Sequence, residues 1–256
     1  MSFVKIRGVA QRYGPRTIIE NINMDVERGQ FISIVGASGC GKSTFLRLLL
    51  AQEQPSAGTI EIDGAPMVQE PGRDQGVVFQ RYSVFPHMRV VDNLVAPRAF
   101  GVSFFGRLSR AERHAERQKA LVTLARIGLD HVAEQFPASL SGGMLQRLAI
   151  AQALAGDPKI LLLDEPFGAL DPGTKIVMHD FLQELRDETG MTVFMVTHDL
   201  EEAFKLGDRV WAFDKPVWDP EDPEKNAATI TYDFDARDNG IPYQTLKENT
   251  NVLVPH

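Results

Sequence analysis

The run GASGCGKST at 36–44 fits the phosphate-binding pattern G-x-x-x-x-G-K-[ST], which chance alone would supply in roughly one chain of this length in a hundred. Gly36, Gly39 and Gly41 let the backbone turn its N–H groups inward around a phosphate, where Cβ atoms would obstruct it. Ala37, Ser38 and Cys40 complete the loop. Lys42 can reach β- and γ-phosphates, the Ser43 hydroxyl can ligate Mg²⁺, and Thr44 follows in a helix whose positive dipole end faces the same anion. The chemistry is that of a bound nucleoside triphosphate.

Further positions suit hydrolysis. Asp164 ends four apolar residues, Ile160–Leu163, so it sits at the carboxyl edge of a strand and can hold Mg²⁺. Glu165, next along, suits a general base polarising an attacking water. His198 closes another apolar run, Met191–Val196, and reaches the same sheet edge. Gln80 ends Val77–Phe79, where its amide oxygen could ligate Mg²⁺. Ser141, Gly142 and Gly143, inside LSGGM, form a helix N-terminus whose orphan N–H groups and serine hydroxyl suit an anion.

These residues need elements to hold them. Phe31–Val35 reads as a buried strand feeding the glycine-rich loop, and Thr44–Leu50 as the helix after it. Phe3–Ile6, Ile22–Val26, Thr59–Ile62 and Val77–Phe79 supply further strands. Between about 86 and 158 the pattern turns helical, with a capping-box spacing at Ser109 and Glu112. Strand–helix–strand order from 160 to 196 favours a parallel sheet.

The 256 residues, 43% hydrophobic, allow one large core. A net charge of −7 argues against a protein that coats nucleic acid. Between Asp214 and His256 there are nine acidic and four basic residues, so most of that charge lies in the tail. The tail offers one alternating strand, Ala228–Phe234, and is expected to be an ordered accessory dispensable for nucleotide chemistry. Cys40 is the single cysteine, so no intramolecular disulfide can form and a reducing compartment is the simpler reading. Its place beside Lys42 and a helix N-terminus predicts a reactive thiol. No run reaches the roughly 18 apolar residues that cross a bilayer, and MSFVKIRGVAQRYG lacks a secretory signal. The expectation is a soluble chain.

LSGGM at 140–144, ILLLDEP at 160–166 and VTHD at 196–199, in this order after the phosphate loop, resemble the ATPase subunit of ABC (ATP-binding cassette) transporters. The resemblance spans residues 3–213. It implies an α/β fold: a P-loop NTPase (RecA-like) core, an antiparallel β subdomain and an inserted helical subdomain. The implied division is a nucleotide-binding core over 1–85 and 159–214, a helical signature subdomain over 86–158, and an acidic accessory segment over 215–256. It implies ATP and Mg²⁺ as cofactors, with Tyr13 stacking on adenine and His198 bonding the γ-phosphate and catalytic water. Ser141–Gly143 would bind the γ-phosphate of ATP held by a second copy, and Asp171, in GALD at 168–171, would lie in the loop crossing between copies. Met144 stands where many family members have Gln. Phe85, Pro86 and Met88 resemble the groove that receives a helix of a transmembrane permease.

LSGGM together with DEPFGALD looks most like the nitrate/sulfonate/taurine group of bacterial importers, in which the ATPase pairs with a permease and a solute-binding protein. MVTHDLEEAFKLGDRV and AATITYDF look like a branch associated with urea-carboxylase and guanidine metabolism. The implied location is peripheral, on the cytoplasmic face of the inner membrane. Among rival readings, a DNA-end ATPase would need a long coiled coil and a two-cassette translation factor a second motif set. A soluble ABC-type ATPase acting in assembly stays open.

Overall fold

β1 (Ser2–Tyr13) and β2 (Arg16–Glu27) form a long antiparallel hairpin in which Val4 and Ile6 face the interior while Lys5 and Arg7 face water. That period-two alternation is what a half-buried strand requires. The computed structural model describes residues 2–67, 74–79, 84–102, 108–216, 226–237 and 246. Gln80 lies outside them. The chain divides into two units, residues 1–72 with 190–256, and residues 73–189.

In the first unit, β4 (Ala57–Ile62) pairs antiparallel with β1, and β5 (Ala65–Pro66) closes that sheet in the order β2-β1-β4-β5. A second set of strands is built on β3 (Phe31–Gly36), all six residues of which are buried. It runs parallel to β8 (Thr192–Val196) on one side and β9 (Arg209–Asp214) on the other. An apolar run with no polar alternation fits a parallel strand covered on both faces. α1 (Lys42–Leu49) lies across it: Phe45, fully buried, meets the Phe213 ring at 5.3 Å and the Trp211 ring edge-on at 6.3 Å. Burying a Phe side chain contributes about 1.5–3 kcal/mol. α6 (Leu200–Leu206), capped by Asp199, connects β8 to β9.

β10 (Thr229–Asp235), from the acidic tail, runs antiparallel along β9. Asp233 accepts hydrogen bonds from Trp211 Nε1 at 3.0 Å and from the Arg209 guanidinium. Just before β10, the fully buried Ala228 exchanges backbone hydrogen bonds with β2: its N–H donates to Ile18 at 2.9 Å and its carbonyl accepts from Glu20 at 3.0 Å. The fully buried Leu246 packs with Val35, Ala203, Val210 and Ala212. The tail is therefore stitched to both sheets of this unit.

In the second unit, β6 (Gln75–Val78) and β7 (Ile160–Asp164) pair in parallel, with α2 (Val90–Val102), α3 (Arg110–Arg126), α4 (Gly142–Leu154) and α5 (Pro172–Thr189) around them. The capping box forms as its spacing requires: Glu112 N donates to Ser109 Oγ at 3.2 Å and Ser109 N to Glu112 Oε2 at 2.8 Å. Among the described residues no helix is long and apolar enough to cross a membrane.

A chain truncated after Asp214 loses β10, the Ala228 bridge and Leu246. Its loss of about 3 kcal/mol or more should lower the melting temperature by roughly 6–12 °C. Calorimetry of the two chains checks this; matching melting temperatures would detach the tail from the core.

Candidate functional site

β3 delivers the phosphate loop. At Gly36 (φ +149°) a Cβ would sit 2.3 Å from the Phe213 carbonyl oxygen, and at Gly41 (φ +96°) 2.6 Å from Ile19 Cγ2. Neither position admits a side chain. The Lys42 side chain, only 8% exposed, turns back over the loop and donates to the carbonyls of Gly36 at 2.6 Å and Ala37 at 2.8 Å. Gly41, as N-cap of α1, supplies no side-chain acceptor to the first-turn N–H groups. Ser38, Gly39 and Ser43 are exposed, whereas Ala37, Cys40 and Thr44 are buried. The loop thus gathers backbone N–H groups, an ammonium and the exposed hydroxyls of Ser38 and Ser43 in a small space, an arrangement that suits an anion.

β3 and β8 are in parallel register, Ile34 opposite Val196, so the strand leading to the phosphate loop and the strand leading to His198 end on the same edge. His198 is exposed, and its flanks are pinned. Thr197, on one side, donates its hydroxyl to the buried Glu202 carboxylate at 2.6 Å and accepts from Asp199 N at 3.1 Å. Tyr13, 43% exposed at the end of β1, donates its hydroxyl to Glu53, which also pairs with Arg47.

The second unit holds Asp164, Glu165, Ser141–Gly143 and Asp171. Asp164 ends β7, and Glu165 follows at φ +50°. A non-glycine residue in this left-handed region costs on the order of 1–3 kcal/mol and persists only where its surroundings enforce it. Gln146, on α4, enforces it here: its Nε2 donates to the Glu165 carbonyl at 3.3 Å and its Oε1 accepts from Ala169 N at 3.2 Å. Ser141 caps α4 by accepting from Met144 N. Asp171 is exposed; its hydrogen bonds from Thr174 hold the carboxyl below its usual range. Burial pulls Arg147 below its usual range, opposed by the nearby Asp171 charge.

A model described as ABC transporter matches residues 19–168. The chain belongs to the ABC transporter family. It is 40% identical over 216 residues to a sulfate/thiosulfate import ATP-binding protein of Pseudomonas aeruginosa, covering 84% of this chain and 64% of that protein. It is 46% identical over 198 residues to a nitrate import ATP-binding protein of Synechocystis, covering 77% of this chain and 71% of the relative. This chain therefore spans less than two thirds of the length of the Pseudomonas relative. The ATP-binding cassette MJ0796, solved as a dimer bound to ADP and Pi, superposes with a TM-score of 0.75 at 31% identity, covering 92% of this chain and all of that one. The fold is that of the ABC cassette.

Two residues of this ABC cassette carry no sequence signal of their own. Gln146 sits two residues past LSGGM and shapes a loop 19 residues away. Asn93, fully buried, accepts from Phe85 N at 2.7 Å and donates to the carbonyls of Phe85, Met88 and Arg89, fixing the loop expected to meet a permease. Beside that loop lies a cavity of about 640 Å³ lined by His87, Met88, Arg89, Phe100, Arg113 and Phe136 among others.

The reading of Cys40 needs correction. The thiol is buried at 3% exposure, and burial pushes its pKa up more strongly than Lys42 pulls it down. A raised pKa leaves less thiolate at neutral pH, and the sulfur faces inward. Modification by a thiol reagent near pH 7 should run at least about tenfold slower in the native chain than in denaturant, accelerating as pH rises. Equal rates by absorbance would restore the activated-thiol reading.

Proposed function

We propose that this chain is the ATP-hydrolysing subunit of a membrane importer, working as a head-to-tail pair of copies that clasp two ATP molecules. The observation that carries it is the Gly36–Lys42 cradle, walled by Phe213 and Ile19, on the same sheet edge as His198. Relatives named as sulfate/thiosulfate and nitrate import ATP-binding proteins support a small sulfur- or nitrogen-containing solute. The dimeric neighbour supports the pairing.

In this reading the loop N–H groups and Lys42 bind the β- and γ-phosphates, and Tyr13 stacks on adenine. Glu165 takes the proton of the attacking water, which His198 helps orient together with the γ-phosphate. Ser141–Gly143 of one copy contacts the γ-phosphate held by the other, and Asp171 lies where the copies meet. Among the described residues no cluster of three His, Cys, Asp or Glu could hold a metal alone. Oxygen donors such as Ser43, Asp164 and Gln80 fit Mg²⁺ arriving with its nucleotide, since that ion keeps phosphate and water ligands. Bound there, Mg²⁺ would neutralise charge on the phosphates.

The permease would dock on the loop that Asn93 fixes and the cavity beside it, with a solute-binding protein acting through the permease. In this reading the chain works peripherally at the cytoplasmic face of the inner membrane. The same loop and cavity favour transport over a soluble assembly role.

Glu165→Gln should lower the hydrolysis rate by about 10²–10⁴, or roughly 3–5 kcal/mol of barrier, while ATP still raises the melting temperature. Lys42→Ala should abolish that thermal protection. Turnover within a fewfold of wild type in Glu165→Gln would remove Glu165 from the mechanism.

Neither Ser141→Arg nor Lys42→Ala should hydrolyse ATP alone, whereas mixed dimers place both lesions in one site and leave the other intact. Activity regained on mixing, by phosphate release, supports the shared site. Mixed dimers that form and stay silent would exclude independently firing shared sites.

A further inference from the structure

The loop after β7 offers two backbone groups toward α4: the carbonyl of Glu165 and the N–H of Ala169. Gln146 meets both with one amide, donating from Nε2 and accepting at Oε1. Few side chains could do so, because a single terminal group must be donor and acceptor at once. Gln146 is 4% exposed, so water has little access to compete for either bond. A second contact joins the same elements. A Cβ at Gly143 would lie 3.4 Å from Leu170 Cδ2 and 3.6 Å from the Ala169 carbonyl oxygen, so the helix start and the loop are already in van der Waals reach.

We propose that Gln146 is a positioning residue that links the two ATP sites of the paired cassettes, transmitting the state of the Ser141 end of α4 to the backbone of Glu165. The inference rests on the proposed function, in which Ser141 reads nucleotide held by the other copy while Glu165 acts on nucleotide held by its own. Ser141 and Gln146 belong to one continuous helix, Gly142–Leu154 with Ser141 as its cap, so a shift at its start is carried to Gln146. Engagement of Ser141 therefore displaces Gln146, and the amide carries the Glu165 peptide with it. The peptide is a suitable receiver. At φ +50° a glutamate has few neighbouring minima, so it holds one setting or flips to another rather than drifting. Gly168 N also donates to the Glu165 carbonyl, at 3.4 Å, so the loop is tied to itself as well as to α4.

The test compares the full wild-type chain with Gln146→Met, which preserves length and burial but makes neither bond. ATP hydrolysis is followed against ATP concentration, and ATP affinity by thermal shift. We expect kcat to fall about tenfold or more, ATP affinity to hold within about twofold, and the Hill coefficient for ATP to drop toward one. A merely structural role would lower the melting temperature and leave cooperativity intact, which would overturn the proposal.

Gln146→Glu serves as a second variant should the first not fold. Its carboxylate keeps an acceptor for Ala169 N but cannot donate to Glu165 until protonated, and burial raises its pKa. Activity relative to wild type should then rise as pH is lowered from about 8 to about 6. A ratio flat across that range would equally overturn it. A wild-type chain with neither ATP hydrolysis nor ATP-dependent thermal protection would overturn the proposed function itself. An active wild type with an unaltered Gln146→Met variant would overturn only the link.

Discussion

The passage from β3 into α1 is the tightest constraint in the first unit. Over six residues the chain must leave a fully buried strand, pass the Phe213 carbonyl with no room for a Cβ, curl through Ser38 and Gly39, and pass Ile19 with no room again. The walls of that passage are β9 and β2, so the curvature of the loop is set by how those two elements pack. Phe45 against Trp211 and Phe213 fixes the helix that follows, and Ala228 fixes β2 from the other side. The Lys42 side chain crosses the resulting hollow because its own helix starts there. The core and the anion cradle are one piece of packing.

The second unit solves a different problem, that of holding a glutamate in an unfavourable backbone conformation beside the end of a strand. It does so with an amide from a neighbouring helix and with Phe167, almost fully buried and edge-on to His179 at 4.6 Å. Asp171 then starts α5 by accepting from Thr174 N at 3.0 Å. Strand end, glutamate, loop and helix start follow one another within eight residues, with Gln146 holding both the glutamate and the loop.

Local signals in the sequence led directly to structure. The Ser109–Glu112 box, the apolar runs of β3, β7 and β8, and the glycine spacing of the phosphate loop depend on residues a few positions apart. What was hidden depends on partners far along the chain. Cys40 looked activated because Lys42 and a helix start are near in sequence; its burial comes from the fold around it. Gln146 and Asn93 look like ordinary polar residues on helices until the loops they bind are brought in. The strand of the acidic tail was legible as an alternating run, but its partners were not: Asp233 is held by Arg209 and Trp211. Gln80, whose strand was legible, lies outside the described residues.

β10 has one more consequence. It forms the outer border of its sheet, with Asp235 exposed at its end and Asp233 bound back onto β9 through Arg209 and Trp211. The strand it covers, β9, is built of Val210, Trp211, Ala212 and Phe213, all fully buried. Left bare, such a strand is a template on which another chain can add a strand, and long apolar borders of this kind nucleate aggregation. The acidic tail stands between that template and a neighbouring molecule, because β10 already occupies the hydrogen-bonding edge of β9. For a chain proposed to pair with its own copy through one surface, a covered strand edge keeps a second surface from joining.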